Sequence, residues 1–89
     1  MNRLIEDMNL STRTYYLLKR HGFHDENQLK NVTLGELKSI RNIGSQSTRQ
    51  VLESLAGCKM TQPYFLLHNQ EKLDMKVADL ITLIKNGNE

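Results

Sequence analysis

Residues that cap helices recur at short intervals along this sequence, and this spacing leaves room only for short helices. Ser11, Asp25, Thr33 and Ser45 each precede an amphipathic stretch. Side chains of these types accept hydrogen bonds from the N–H groups of a first helical turn, and they therefore mark helix starts. Strand-type alternation of apolar and polar residues is nearly absent. The pattern predicts an all-α fold, a compact bundle of short helices.

The first part of the sequence is predicted to hold four helices, at about residues 11–20, 25–31, 33–40 and 45–57. Thr33 and Glu36 have the spacing of a capping box, in which each side chain binds a backbone N–H near the other residue. Gly22 and Gly57 stand where a left-handed residue ends a helix. Leu4, Ile5, Met8 and Leu10 are predicted to supply apolar cover ahead of the first helix. The positions predicted to face inward are Thr14, Leu17, Leu18, Leu29, Val32, Leu34, Leu37, Ile40, Thr48, Val51, Leu52 and Leu55.

Residues 58–89 are predicted to form a C-terminal extension of the bundle in 1–57. It carries one amphipathic helix at about 74–86, with Asp74 as its cap and Gly87 at its end. The apolar residues of this helix are Val77, Leu80, Ile81 and Ile84. Residues 61–63 (Thr-Gln-Pro) favour a turn or a helix start. The apolar stripe has two interpretations: it packs back on the bundle, which we favour, or it mediates self-association.

Size and composition predict a small cytoplasmic protein. The 89 residues suffice for one small core. The longest apolar run, residues 64–67, is far too short to span a membrane, and the start of the sequence lacks the apolar stretch of a signal peptide. Cys58 is the single cysteine, so no internal disulfide holds the fold. The net charge of +2 arises entirely within residues 1–57.

No catalytic or metal-binding pattern stands out. His21 and His24 lack a neighbouring ligand pair, His68 is remote, and Cys58 has no local signature of a catalytic nucleophile. A phosphate-binding loop of the P-loop type is absent from the sequence. We therefore predict no enzyme activity, no metal, no cofactor and no small-molecule substrate.

The segment Arg41-Asn42-Ile43-Gly44 joins two predicted helices in a tight hairpin. Ser45, Gln46 and Ser47 follow at the start of the second helix, where backbone N–H groups have no intrahelical partner and the helix dipole is positive. Such a helix start can hold a phosphate. The alternative is that the glycine only turns the backbone and the serine only caps the helix.

Two stretches together resemble a known family. Ile5-Glu6-Asp7-Met8, followed by Leu10-Ser11 and Arg13, and Arg41-Asn42-Ile43-Gly44, followed by Ser47, are similar to the C-terminal domain of the bacterial RNA polymerase alpha subunit. The resemblance covers about residues 3–57. It implies a helical bundle with a helix–hairpin–helix that binds the minor groove of A/T-rich double-stranded DNA and also serves as a docking surface for transcription regulators.

The resemblance also implies roles for individual residues. Arg13 corresponds to the arginine that enters the groove, and Asn42, Gly44 and Ser47 correspond to positions that contact phosphates. From its position beside the inward stripe, Arg13 is expected to be exposed, and its replacement is expected to change stability by no more than about 0.5 kcal/mol.

Three positions depart from the family pattern, and one of them is Leu17, which stands in place of a small residue. Tyr16 stands where asparagine is common; its hydroxyl reaches a phosphate, or its ring covers the core, which we favour. Gln46 replaces a common lysine, which predicts weaker DNA binding. The remaining candidate DNA-binding residues are Arg41 and Ser45. Lys19, Arg41 and Arg49 are expected to add screened long-range attraction to DNA.

The sequence thus predicts a non-enzymatic DNA-binding transcription module, with RNA polymerase or a transcription regulator as candidate partners. We expect a free-standing relative of the alpha domain, because Met1 lies only a few residues before the matching segment and 32 residues follow it. The alternative is a protein-interaction adaptor that uses the same fold and its C-terminal helix to bind a regulator or a polymerase subunit.

Overall fold

The computed structural model describes residues 2–60 and 70–86, and over these ranges the protein is helical, as predicted. The helices are α1 (Thr12–Arg20), α2 (Glu26–Lys30), α3 (Leu34–Lys38), α4 (Gly44–Ala56) and α5 (Val77–Lys85). Single 3-10 turns lie at Ile5–Asp7 and Gln70–Lys72. The predicted Thr61-Gln62-Pro63 turn, His68 and Gly87 lie outside the described residues.

Polar side chains cap the first three helices where the sequence predicts them. The Ser11 hydroxyl accepts a hydrogen bond from the Thr14 backbone N–H. Thr33 and Glu36 form the predicted capping box, and Asp25 forms a second one with Gln28. Gly57 ends α4 in the left-handed conformation, as predicted.

Two predicted caps are wrong. α4 begins at Gly44 and is not capped by a side chain, so Ser45 lies within its first turn. α5 begins at Val77, and Asp74 lies ahead of its N-cap residue, Lys76. The reason at α5 is tertiary, since the Val77 N–H donates to the Val32 carbonyl at 2.8 Å and this pairing fixes where the helix begins.

The apolar faces of the helices meet in one core. The inward stripe predicted for the last helix is confirmed, because Val77, Leu80, Ile81 and Ile84 are all buried. α5 packs mainly against α4 and also contacts α2. This arrangement favours the first interpretation of the C-terminal segment, in which its apolar stripe enlarges the core.

The segment before α5 crosses the junction between α2 and α3. The backbone N–H groups of Leu34 and Gly35 donate to the carbonyls of Met75 and Leu73, each at 2.9 Å. These first-turn N–H groups have no acceptor within their own helix, so the crossing segment satisfies them. A Cβ on Gly35 would lie 3.1 Å from the Leu73 carbonyl oxygen, and this close approach explains the glycine.

A buried carboxylate anchors the N-terminal segment. Glu26, only 4% exposed, accepts hydrogen bonds from the Arg3 backbone N–H at 2.9 Å and from its guanidinium at 3.2 Å. Burial acts to raise the pKa of Glu26, but these hydrogen bonds and the Arg3 charge outweigh it and hold that pKa below its ordinary value. Arg3 also donates to the Ser54 carbonyl and so joins this segment to α4.

Candidate nucleic-acid interface

The turn between α3 and α4 is a tight helical hairpin with two left-handed residues. Asn42 has φ of 67° and Gly44 has φ of 66°. Glycine adopts this conformation without strain, and asparagine tolerates it better than most residues do. Apart from its chain neighbours and its own helix backbone, no described residue places an atom within 4 Å of an ideal Cβ at Gly44, so the backbone conformation, and not crowding, favours glycine there.

The N-terminus of α4 is open to solvent. Gly44, Ser45 and Gln46 are exposed, the helix has no cap from a side chain, and its first turn contains no acidic residue. First-turn N–H groups have no intrahelical acceptor, and the positive end of the helix dipole lies behind them. This end of the 13-residue helix can therefore accept an anion.

Arg13 joins α1 to the hairpin. Its Nη1 donates to the Ser47 hydroxyl at 3.0 Å and approaches the Ile43 carbonyl at 3.4 Å, and its Nη2 donates to the Asn42 carbonyl. Arg13 is exposed, as the periodicity predicts. The expectation that its replacement has little effect on stability is revised, because the guanidinium holds two structural elements together.

Ser47 faces the interior, unlike the other residues at the start of α4. It is 5% exposed, and its hydroxyl accepts from Thr14 Oγ1 at 2.9 Å as well as from Arg13. The geometry therefore gives this hydroxyl a role in positioning Arg13. At the start of α4, the exposed residues are Gly44, Ser45 and Gln46.

Tyr16 lies on the surface. It is 58% exposed, and its ring packs edge-on against Tyr15 with 5.1 Å between the centroids. The favoured expectation that this ring covers the core is wrong, because Tyr16 lies on the outer face of α1. It lines a depression together with Arg13, Leu17, Arg20 and Asn42.

Arg20 is a surface residue that sequence reasoning did not assign to the site. It lines the depression beside Tyr16 and also a neighbouring recess that includes Arg41. The signal was present in the spacing, since residues 13, 16, 17 and 20 share one face of a helix. Arg20 and Arg41 are both exposed.

Two other basic residues of the bundle, Lys19 and Arg49, form ion pairs with carboxylates. Lys19 pairs with Glu6 at 3.1 Å, and Arg49 pairs with Glu53 at 3.1 Å. A hydrogen bond from its own backbone, followed by the hydrogen bond from Lys19, lowers the pKa of Glu6 and favours the charged form of this carboxylate. Lys19 and Arg49 are therefore less available to an anion than an unpaired basic side chain would be.

Within residues 2–60 and 70–86, no group of three or more His, Cys, Asp or Glu side chains could hold a metal ion. None of the helices in these ranges is long and apolar enough to cross a membrane.

The described residues form a small all-helical module in which a tight turn joins α3 to α4. The family model for the C-terminal domain of the bacterial RNA polymerase alpha subunit matches residues 1–57, and the protein belongs to this family. The resemblance predicted from the sequence is thereby confirmed.

Similar curated proteins are named DNA-directed RNA polymerase subunit alpha. That of Bifidobacterium adolescentis is 46% identical over 55 residues, which cover 62% of this chain and 17% of the relative. That of Corynebacterium diphtheriae is 42% identical over 57 residues, which cover 64% of this chain and 17% of the relative. That of Malacoplasma penetrans is 39% identical over 51 residues, which cover 57% of this chain and 15% of the relative. The matched segment thus spans only 15–17% of the length of these relatives. No solved structure is significantly similar to this protein.

Proposed function

We propose that this protein is a non-enzymatic, cytoplasmic transcription module that binds the minor groove and phosphates of A/T-rich DNA. The observation that carries the proposal is the placement of Arg13, which the hairpin holds beside the open N-terminus of α4. Membership of the polymerase alpha-subunit domain family supports the same function. RNA polymerase or a transcription regulator is the protein partner that this membership suggests.

Arg13 is pre-organised for groove binding. Three of its guanidinium N–H groups are engaged by the hairpin, and the Nε–H and one N–H of Nη2 form no hydrogen bond with described residues. A side chain already fixed in place loses less conformational entropy on binding. The narrow groove of A/T-rich DNA concentrates negative potential, which favours an inserted guanidinium.

Phosphates are proposed to meet the α4 N-terminus at Gly44, Ser45 and Gln46. Asn42 and Tyr16, both exposed, lie next to Arg13 and are proposed to contact the sugar–phosphate backbone. Gln46 is neutral, so the N-terminus of α4 contributes backbone hydrogen bonds and the helix dipole to phosphate binding, but no full positive charge. We therefore expect a shallow salt dependence, with a log–log slope of about −2 to −4.

The second candidate function is a protein-interaction adaptor. The neutral Gln46 and the exposed ring of Tyr16 favour it, because an aromatic side chain on a surface suits protein contacts. In this case α5 contributes through its exposed face, since its apolar stripe is buried in the core.

The test is DNA binding measured by fluorescence anisotropy on A/T-rich and G/C-rich duplexes over a salt titration. Arg13→Ala is compared with Lys30→Ala, which removes a charge from α2, away from the hairpin. We expect Arg13→Ala to weaken binding by about 1–3 kcal/mol, more on A/T-rich DNA, and Lys30→Ala to have a small effect on both duplexes.

Binding is measured well below the melting temperature of each variant, because Arg13 also braces the fold. No binding of the wild-type protein to either duplex at low salt supports the adaptor. If both variants lose the same small amount of affinity on both duplexes, the interaction is only nonspecific charge attraction.

A further inference from the structure

A recess between the C-terminal end of α1 and the hairpin turn carries two exposed arginines. Neither Arg20 nor Arg41 forms a hydrogen bond or an ion pair with a residue that the structure describes. The recess is lined by Leu17, Arg20, His21, Ile40, Arg41 and Asn42. Two exposed arginines therefore line one concave surface.

Among the described residues, no carboxylate lines the recess. Elsewhere on the bundle, Lys19, Arg49 and Arg3 each face a glutamate. The apolar residues Leu17 and Ile40 also line the recess, and apolar surroundings strengthen the attraction between the arginines and an anion. The recess thus suits a compact anion that accepts several hydrogen bonds.

The recess is continuous with the proposed DNA surface. It shares Leu17, Arg20 and Asn42 with the depression that Arg13 and Tyr16 line. A ligand that runs along the depression beside Arg13 therefore passes the recess. A nucleic-acid backbone places phosphates at regular intervals along such a path.

We propose that Arg20 and Arg41 bind a second DNA backbone phosphate in this recess, separate from the phosphate at the α4 N-terminus. This inference rests on the proposed function and adds Arg20 to its interface. Arginine suits the role because its planar fork of N–H donors matches the oxygens of a phosphate. The contact is to the backbone, so it does not depend on base sequence.

The test is the salt dependence of DNA binding by Arg20→Gln, Arg41→Gln and the double variant. Three arginines, at positions 13, 20 and 41, give an expected slope of about −2.7 for the wild-type protein. Each single change should reduce the magnitude of the slope by about 0.9 and weaken binding about eight-fold at 0.1 M salt. The double variant should have a slope of about −0.9.

Arg49→Gln is the matched control, because Arg49 is already paired with Glu53 on the outer face of α4. We expect its slope to equal that of the wild-type protein. The loss of DNA affinity caused by Arg20→Gln or by Arg41→Gln should be equal on A/T-rich and G/C-rich duplexes, unlike the loss caused by Arg13→Ala. Melting curves check that each variant is folded at the temperature of the binding assay.

The outcomes separate this inference from the proposed function. If the wild-type protein binds and Arg13→Ala weakens it, while both glutamine variants keep the wild-type slope, the recess is no phosphate site and the DNA-binding function stands. The recess is then left to a different anion, such as an acidic segment of a protein. If the wild-type protein binds no duplex, both proposals are overturned.

Discussion

Replacing Arg13 by alanine should destabilise the free protein, with no DNA present. The change removes the donors to the Ser47 hydroxyl and to the Asn42 carbonyl, together with the longer approach to the Ile43 carbonyl at 3.4 Å. These contacts connect α1 with the hairpin turn and with α4. Their loss leaves the turn without a brace from α1.

The size of this destabilisation follows from the two shorter contacts of Arg13, those with Ser47 and Asn42. A hydrogen bond from a charged donor contributes about 1.5–3 kcal/mol when well shielded and less when exposed. Arg13 is exposed, and the Ser47 hydroxyl keeps its second donor, Thr14, after the change. We therefore expect a loss of about 1.5 kcal/mol in the free energy of unfolding, which lowers the melting temperature of a domain of this size by roughly 6–12 °C.

The assay is thermal and urea unfolding followed by circular dichroism in the far ultraviolet. Arg49→Ala is the control, because it removes an arginine that forms only an i, i+4 pair on the α4 surface, worth about 0.3–0.5 kcal/mol. Indistinguishable melting temperatures for the two variants would refute the bracing role. Arg13 would then act only toward a ligand, as the sequence alone suggests.

Three further outcomes are expected. Gln46→Lys adds a charge at the exposed start of α4, so DNA affinity should rise about eight-fold at 0.1 M salt and the slope should steepen by about 0.9; an unchanged slope places position 46 away from DNA. The pKa of Glu26 is lowered in the folded state. The ionised Glu26 carboxylate therefore stabilises the fold at pH values above its ordinary pKa, and this stabilisation is lost as the pH falls through the lowered pKa. Glu26→Gln should therefore flatten the fall in melting temperature below about pH 4.3, and an unaltered acid profile contradicts the role of its bonds with Arg3. Leu80→Ala leaves a cavity beneath α5 and should reduce the free energy of unfolding by about 2–5 kcal/mol in urea titrations, whereas a small loss would mean that α5 packs loosely.

Local chemistry made most of the fold predictable from the sequence. Ser11, Asp25 and Thr33 each bind N–H groups within three residues of themselves, so their caps depend on few distant contacts. The apolar period of residues 77–84 likewise marked the buried face of α5. The start of α5 instead depends on a distant group, the Val32 carbonyl, which accepts a hydrogen bond from the Val77 N–H. The nearby Asp74 therefore led to a wrong prediction of the cap residue.

The candidate site was predictable in part. The motif around Arg41-Asn42-Ile43-Gly44 located the hairpin, and the resemblance pointed to Arg13. The partners of Arg13 lie 29 to 34 residues away, so its bracing role could not be inferred from neighbouring residues. The exposure of Tyr16 and the pairing of Lys19 and Arg49 likewise depend on how the helices pack.

The sequence by itself determined the helical class, most of the caps, the apolar faces and the family, because these features depend on short-range spacing and on residue type. Only the tertiary structure decided which side chains meet across the bundle. It turned Ser47 inward toward Arg13, satisfied the N–H groups of Leu34 and Gly35 from the C-terminal segment, and brought Arg20 beside the recess of Arg41. Such contacts depend on the packing of whole helices against one another, which fixes distances that no local pattern encodes.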